Sequence, residues 1–131
     1  MFDFKKFSKV GDVLSAHKEE SFTRSAIGRY YYSIFCSTRQ YLVETKNKKY
    51  FLKRKNIHKE VCEELMKSND LTENEIGEIL EQLREIRNQA DYDWLTKDGE
   101  YYEKSLIQAK NESEKALESL DALKKSPPYE L

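Results

Sequence analysis

Apolar residues recur every three or four positions along most of this chain, which is the spacing of helices that bury one face. No stretch shows the alternation of a convincing strand. The predicted helices lie at about 5–17, 21–44, 56–68, 72–94 and 100–124. Because most loops between them are short, neighbouring helices are expected to be antiparallel. The sequence predicts an all-α fold, an up-and-down bundle of four to five antiparallel helices.

The second predicted helix has the broadest apolar face, which indicates a central helix that several others contact. Its opposite side carries Arg29, Ser33 and Cys36, a small and polar face expected to receive the fourth helix or a second subunit. The broad face consists of Ala26, Ile27, Tyr30, Tyr31, Ile34, Phe35, Tyr41 and Leu42. The first helix is expected to turn Phe4, Phe7, Val10, Val13 and Leu14 inward.

Two helix starts carry capping signals. Ser21 is a plausible N-cap for the second helix. Thr72 and Glu75 have the spacing of a capping box at the start of the fourth helix, and Leu71 and Ile76 are placed for a hydrophobic staple.

Composition supports one helical domain. The chain has 131 residues, and its only two prolines lie among the last five. The domain is expected to have its core at about 5–125 and a frayed tail at 126–131. Cys36 and Cys62 have no metal-ligand spacing around them, so they predict reduced thiols, with neither metal nor cofactor. Without a long apolar run or a signal peptide, the chain is expected to be cytoplasmic and free of the membrane.

The net charge of −1 conceals a segregation of charge. Positions 46–59 hold seven cations and no acid, whereas positions 60–85 hold nine acids, with only Lys67 and Arg84 as cations. The basic segment is either a solvated loop or a phosphate-binding one, in which Lys53 and Arg54 are candidate contacts. Tyr50, Phe51 and His58 interleave with these cations, which favours single-stranded nucleic acid slightly.

The fourth helix contains an unusual pair of charges. Arg87 follows Leu80 by seven residues and Leu83 by four, so it lies within the apolar stripe of that helix. Asp91, one turn later, lies on the same side. The pair is either an internal ion pair that closes one end of the core, or part of a polar concavity that also includes Arg84 and Asn88.

Three runs of residues together resemble the HEPN superfamily of small prokaryotic helical bundles. The run at 29–35, Arg-Tyr-Tyr-Tyr-Ser-Ile-Phe, is similar to that family's second-helix pattern. The run at 56–61, Asn-Ile-His-Lys-Glu-Val, is similar to the His-containing start of the next helix. The run at 83–92 is similar to the fourth-helix signature, in an Arg-Asn-x-Ala-Asp-Tyr variant. In order, the runs extend the resemblance over roughly residues 5–125.

This resemblance implies a homodimer whose fourth helices face each other across a cleft, and a role in toxin–antitoxin or phage-defence systems. It also implies a small nucleotidyltransferase as a possible partner. Many members are metal-independent endoribonucleases, in which a His following the motif Arg handles a proton and the Arg stabilises charge on the phosphate.

This chain has no His after Arg87; its two histidines are His17 and His58. Tyr92 stands at the expected position, but a tyrosine with a pKa near 10 is a poor base, and a regular helix would project it about 140° away from Arg87. His58 is the alternative proton handler if the fold brings it to the same cleft.

Three functions follow as hypotheses. The favoured one is a HEPN-type defence component that binds RNA or nucleotide through Arg87, Asn88 and Asp91. Additional candidate contacts are Arg29, Tyr32, Arg84, Lys53 and Arg54. The second is a metal-independent endoribonuclease that uses Arg87 and Asp91 with His58 or Tyr92. The third is a non-catalytic assembly module in which the Arg87–Asp91 pair sets the register of a helical dimer.

Overall fold

The computed structural model describes residues 1–52 and 57–125 of the chain. The helices are α1 (Lys6–Ser15), α2 (Glu20–Glu44), α3 (His58–Met66), α4 (Leu71–Tyr92) and α5 (Gly99–Lys125), with a 3₁₀ turn at Lys49–Leu52. The described residues contain no strand, so the predicted all-α bundle is confirmed. The predicted tail at 126–131 and the candidate residues Lys53 and Arg54 lie outside the described residues.

Helix α2 is the centre of the bundle. It packs against α1, α3, α4, α5 and the 3₁₀ turn, because its apolar positions occupy a broad part of its circumference. All eight residues of the predicted face are at most 4% exposed. The prediction of a central second helix is therefore confirmed.

The N-cap of α4 lies two residues before Thr72, where the predicted capping box begins. The carboxylate of Asp70 accepts a hydrogen bond from the backbone N–H of Glu73 at 2.9 Å, so Asp70 is the N-cap. Glu73 is 3% exposed, and its carboxylate accepts a hydrogen bond from the Tyr41 hydroxyl. The predicted Thr72–Glu75 box was wrong because this earlier cap also places Glu73 against α2.

Two other local predictions at helix starts were also wrong. Leu71 is 79% exposed, so it cannot act as the hydrophobic staple. Ser21 lies inside α2, whose N-cap is Glu19 in an extended backbone conformation.

Helix α1 turns only part of the predicted face inward: Leu14 packs against the core, but the two valines do not. Val10 and Val13 are 44% and 65% exposed, whereas Gly11 is buried against α2. A Cβ atom on Gly11 would lie only 2.8 Å from the Tyr30 ring, so glycine permits the close approach of the two helices. The Tyr30 hydroxyl donates to Asp12 at 2.5 Å and holds α1 in this orientation.

The polar side of α2 faces the N-terminal part of the chain. The Arg29 guanidinium lies 5.0 Å from the centre of the Phe7 ring, and Cys36 lines a groove together with Phe4. Ser33 is fully buried and donates to the carbonyl of Tyr30 at 2.6 Å. Of the two occupants expected for this side, α4 does not cover it, because α1 and the residues before it pack there; the second subunit stays a prediction.

The C-terminal end of α4 is anchored to α2 and α5. Arg24 donates to the backbone carbonyls of Ala90 and Asp93, and its guanidinium lies 4.0 Å from the centre of the Tyr102 ring. The Tyr102 hydroxyl donates to the Asp93 carboxylate at 2.6 Å. These contacts satisfy carbonyls that a helix end leaves open, and they fix the last turn of α4.

Within residues 1–52 and 57–125, no helix combines the length and the apolar character needed to cross a bilayer.

Candidate functional site

The Arg87–Asp91 pair is present, but only one member is buried. Nη1 of Arg87 lies 3.3 Å from Oδ2 of Asp91, and the two side chains are 11% and 38% exposed. Arg87 lies in the predicted stripe, where Leu83 and Ala90 are almost fully buried. Asp91 reaches the surface because it lies in the last turn of α4. The pair thus joins a largely desolvated cation to a carboxylate that water still reaches.

Two tyrosines of α2 pack beside Arg87. Its guanidinium carbon lies 5.4 Å from the centre of the Tyr31 ring and 5.5 Å from that of Tyr32. A guanidinium over an aromatic face gains cation–π attraction, typically about 0.5–2 kcal/mol. The rings therefore partly compensate the loss of water around Arg87, but they supply no hydrogen-bond acceptor.

His58, on α3, contacts the same two tyrosines. Its Nδ1 atom lies 2.6 Å from the Tyr31 hydroxyl, and its ring stacks on Phe35 with 4.1 Å between ring centres. Burial, together with the charges of Arg87 and Arg84, lowers the pKa of His58 to about 4. His58 is therefore neutral at pH 7. The structure brings His58 and Arg87 to two sides of one tyrosine, a proximity that the sequence left open.

The Tyr31–His58 hydrogen bond is compatible with either neutral tautomer of the histidine. Burial raises the pKa of Tyr31 well above its usual value, so its hydroxyl stays protonated. When this hydroxyl donates to Nδ1 of His58, the ring proton sits on Nε2; when Nδ1 donates instead, Nε2 offers a free lone pair. The second tautomer has the chemistry of a general base.

The described arginines fall into two groups. Arg24 and Arg39 donate to backbone carbonyls and hold the fold together. Arg29, Arg84 and Arg87 have few polar partners: of these three, only Arg87 pairs with a carboxylate in the described part of the chain. The Nε atoms of Arg84 and Arg87 are buried and lack an acceptor there. An unmet buried donor costs about 1–3 kcal/mol, so this side of α4 has an unfilled capacity to bind an acceptor.

The remaining candidates on α4 differ in exposure. Asn88 is half-buried, next to Arg87 in the sequence. Tyr92 is the last residue of α4 and is 73% exposed, and no described residue forms a hydrogen bond with its hydroxyl.

Three lysines of the basic segment pair with acids of α3 and α4 in the part that the structure describes. The Tyr50 hydroxyl also donates to Glu64 at 3.0 Å. The pairs are Lys46–Glu73 at 3.4 Å, Lys48–Glu64 at 3.6 Å and Lys59–Glu63 at 3.8 Å. In the described part of the chain, cations of the basic segment therefore pair with the acids that follow them in the sequence.

Among residues 1–52 and 57–125, no cluster of three or more His, Cys, Asp or Glu side chains has the arrangement of a metal site. Comparison with family models, curated proteins and solved structures finds no match for this chain. The resemblance to the HEPN superfamily stays a prediction that rests on the three sequence runs.

Sequence reasoning missed the polar role of Tyr31, which was assigned to core packing. Its hydroxyl carries the contact with His58, and its ring carries the contact with Arg87. The available signal was chemical: a tyrosine on a face of otherwise apolar residues needs a partner for its hydroxyl. Arg24 was also missed, because its acceptors are backbone carbonyls and no sequence pattern marks them.

Proposed function

We propose that this chain is a HEPN-type component of a toxin–antitoxin or phage-defence system that binds RNA or a nucleotide beside α4. The observation that carries the proposal is the pair of arginines, Arg84 and Arg87, whose buried Nε atoms have no acceptor among the described residues. A phosphate supplies several acceptor oxygens and two-point contact with a guanidinium. Arg87 is the central contact, with Arg84 and Asn88 beside it.

In this proposal Asp91 is the counter-ion of Arg87 in the free protein. Its single contact at 3.3 Å is longer than a strong charge-assisted hydrogen bond, and Asp91 is accessible to water. An incoming phosphate can therefore take over the guanidinium while Asp91 turns toward solvent. Binding is electrostatic in large part, so the affinity falls as salt rises.

Metal-independent endoribonuclease activity is the second candidate. It is favoured by one observation, namely that neutral His58 and Arg87 contact the same Tyr31 ring. In that reaction Nε2 of His58 takes the proton of the 2′-hydroxyl, and the 2′-oxygen attacks the phosphorus while Arg87 stabilises the charge that develops on the phosphate. The P–O5′ bond breaks to leave a 2′,3′-cyclic phosphate, and the departing 5′-oxygen takes a proton from water or from protonated His58. Tyr92 is the alternative proton handler at the rim.

A homodimer in the cytoplasm completes the proposal, and a small nucleotidyltransferase is the protein partner that the resemblance implies. The end of α4 supports an interface, because Tyr92, Trp94 and Leu95 are 73%, 82% and 73% exposed. Large apolar side chains grouped at one corner commonly mark a contact surface. If contact through this surface is the only function of the chain, the chain is a non-catalytic assembly module.

One experiment separates the three functions. Fluorescence anisotropy with labelled single-stranded RNA, across a salt series, compares the wild type with Arg87→Gln and with Lys104→Gln, a matched loss of charge at an exposed position on α5. Binding that only Arg87→Gln weakens supports the proposal. Cleavage of the same RNA in EDTA, lost in His58→Gln, identifies the ribonuclease. Absence of binding and cleavage in a protein that forms a dimer leaves the assembly module.

A further inference from the structure

Tyr32 contacts two guanidinium groups that come from different helices. The Arg29 carbon, one turn earlier on α2, is 5.4 Å from the centre of the Tyr32 ring. The Arg87 carbon, on α4, is 5.5 Å from the same point. Since both lie this close to one ring centre, the two carbons are separated by at most twice that distance. The half-buried ring therefore contacts both cations.

Each of these two arginines also contacts a second aromatic ring. Arg29 lies over Phe7 of α1, at 5.0 Å, and Arg87 lies over Tyr31. Tyr31 in turn bonds to His58. The sequence of contacts is Phe7, Arg29, Tyr32, Arg87, Tyr31 and His58, which we name the arginine–tyrosine strip.

The strip leaves an excess of positive charge. Two guanidinium groups at this separation repel each other, and cation–π contacts offset the cost only partly. In the described part of the chain, Asp91 is the single carboxylate that pairs with either one. Arginines that serve only the fold look different here, since Arg24 and Arg39 donate to backbone carbonyls. The arrangement therefore matches a ligand with two negative charges that both guanidinium groups can reach from one ring.

We infer that Arg29 and Arg87 bind successive phosphates of one single-stranded RNA segment, with Tyr32 holding the spacing between them. The inference rests on the proposed function and names its ligand as an oligonucleotide. An extended ligand fits because contacts pass from α1 to α3 along the strip. The partly exposed rings of Phe7 and Tyr32 beside these cations also suit single strands, whose bases stack while their phosphates pair with charge.

The test is calorimetric titration with AMP, ADP and oligoadenylates of about two to six nucleotides. The variants are Arg29→Gln, Arg87→Gln and Tyr32→Leu, with Tyr32→Phe as the control that keeps the ring. Melting temperatures establish that each variant is folded. Arg29→Lys serves as a second probe if Arg29→Gln is unstable, because it keeps the charge but loses the planar fork.

We expect the wild type to bind the longer oligomers at least about tenfold more tightly than AMP, because a second phosphate contact forms. Arg29→Gln and Tyr32→Leu should remove this gain in affinity for the longer oligomers and leave the affinity for AMP within about twofold of the wild-type value. Tyr32→Phe should keep the gain. Arg87→Gln should weaken every ligand.

Equal affinity for AMP and the oligomers overturns the inference but leaves the proposed function intact. The inference alone also fails if Arg29→Gln keeps the gain with length, or if ADP binds as tightly as the longest oligomer. Failure of all these ligands to bind the wild type overturns both.

Discussion

The Tyr31 hydroxyl lies 2.6 Å from Nδ1 of His58, and this contact ties the middle of α2 to the first residue of α3. The same ring lies under the guanidinium of Arg87 on α4. One side chain therefore relates three helices. Its hydroxyl pairs with the histidine in either tautomer, and its face stabilises the arginine, so any chemistry at this site depends on Tyr31.

Tyr31→Phe should destabilise the fold by about 1–2 kcal/mol, because it leaves a half-buried ring nitrogen of His58 without its partner. The aromatic ring stays, so the packing against Arg87 is retained. Urea denaturation measures the change. Tyr92→Phe, which removes a hydroxyl at an exposed position, should alter stability by less than about 0.5 kcal/mol. Equal effects of the two substitutions would show that the Tyr31–His58 bond contributes nothing.

Stability should fall as the pH is lowered from neutrality toward 4. In the unfolded chain the pKa of His58 is near 6.5, and in the folded chain it is about 4. Between these values the unfolded chain binds more protons, so the free energy of unfolding decreases as the pH falls, and this group adds no further loss below about 4.

Thermal melting of the wild type and His58→Gln across this range tests the assignment. The variant should show a shallower dependence on pH, and its amide can still pair with the Tyr31 hydroxyl. His17→Gln, at an exposed position on the loop after α1, is the matched control and should follow the wild type. Parallel curves for the wild type and His58→Gln would assign the pH dependence to other groups.

Asp91→Asn should strengthen RNA binding by about threefold to tenfold, because it removes a carboxylate that competes with phosphate for Arg87. The amide oxygen can still accept a hydrogen bond from the guanidinium. The affinity is measured in the anisotropy assay described above. A loss of affinity would instead mean that the negative charge of Asp91 is needed to position Arg87.

Alanine substitution at two buried helical glycines should have opposite effects. Gly28→Ala should stabilise the protein by about 0.5–1 kcal/mol, since no atom lies within 4 Å of the added Cβ and alanine favours the helix. Gly11→Ala should destabilise it by about 1–3 kcal/mol, because the Cβ would approach the Tyr30 ring to 2.8 Å. Urea denaturation compares the two. Stabilisation by Gly11→Ala would contradict the close packing of α1 on α2.

The spacing of apolar residues determined much of this fold without knowledge of contacts. It predicted the helices, the central place of α2 and the position of Arg87 in the buried stripe of α4. Such features depend on helical periodicity, which residues a few positions apart already express. The sequence also marked Arg29, Tyr32 and Arg87 of the arginine–tyrosine strip as separate candidates, whereas it placed Tyr31 in the core.

Only the tertiary structure decided how these pieces meet. Asp70 and Thr72 both carry an oxygen suited to an N-cap, and Asp70 prevails in a fold where Glu73 then reaches Tyr41, 32 residues away. Helix α1 buries the side that packs most closely on Tyr30. Gly11 permits this close approach, and the two valines do not. His58 and Tyr31 are 27 residues apart, and the packing of α3 against the bundle brings them together. Periodicity is a local property, whereas a partner across the bundle is chosen by shape and by the need to satisfy buried polar groups.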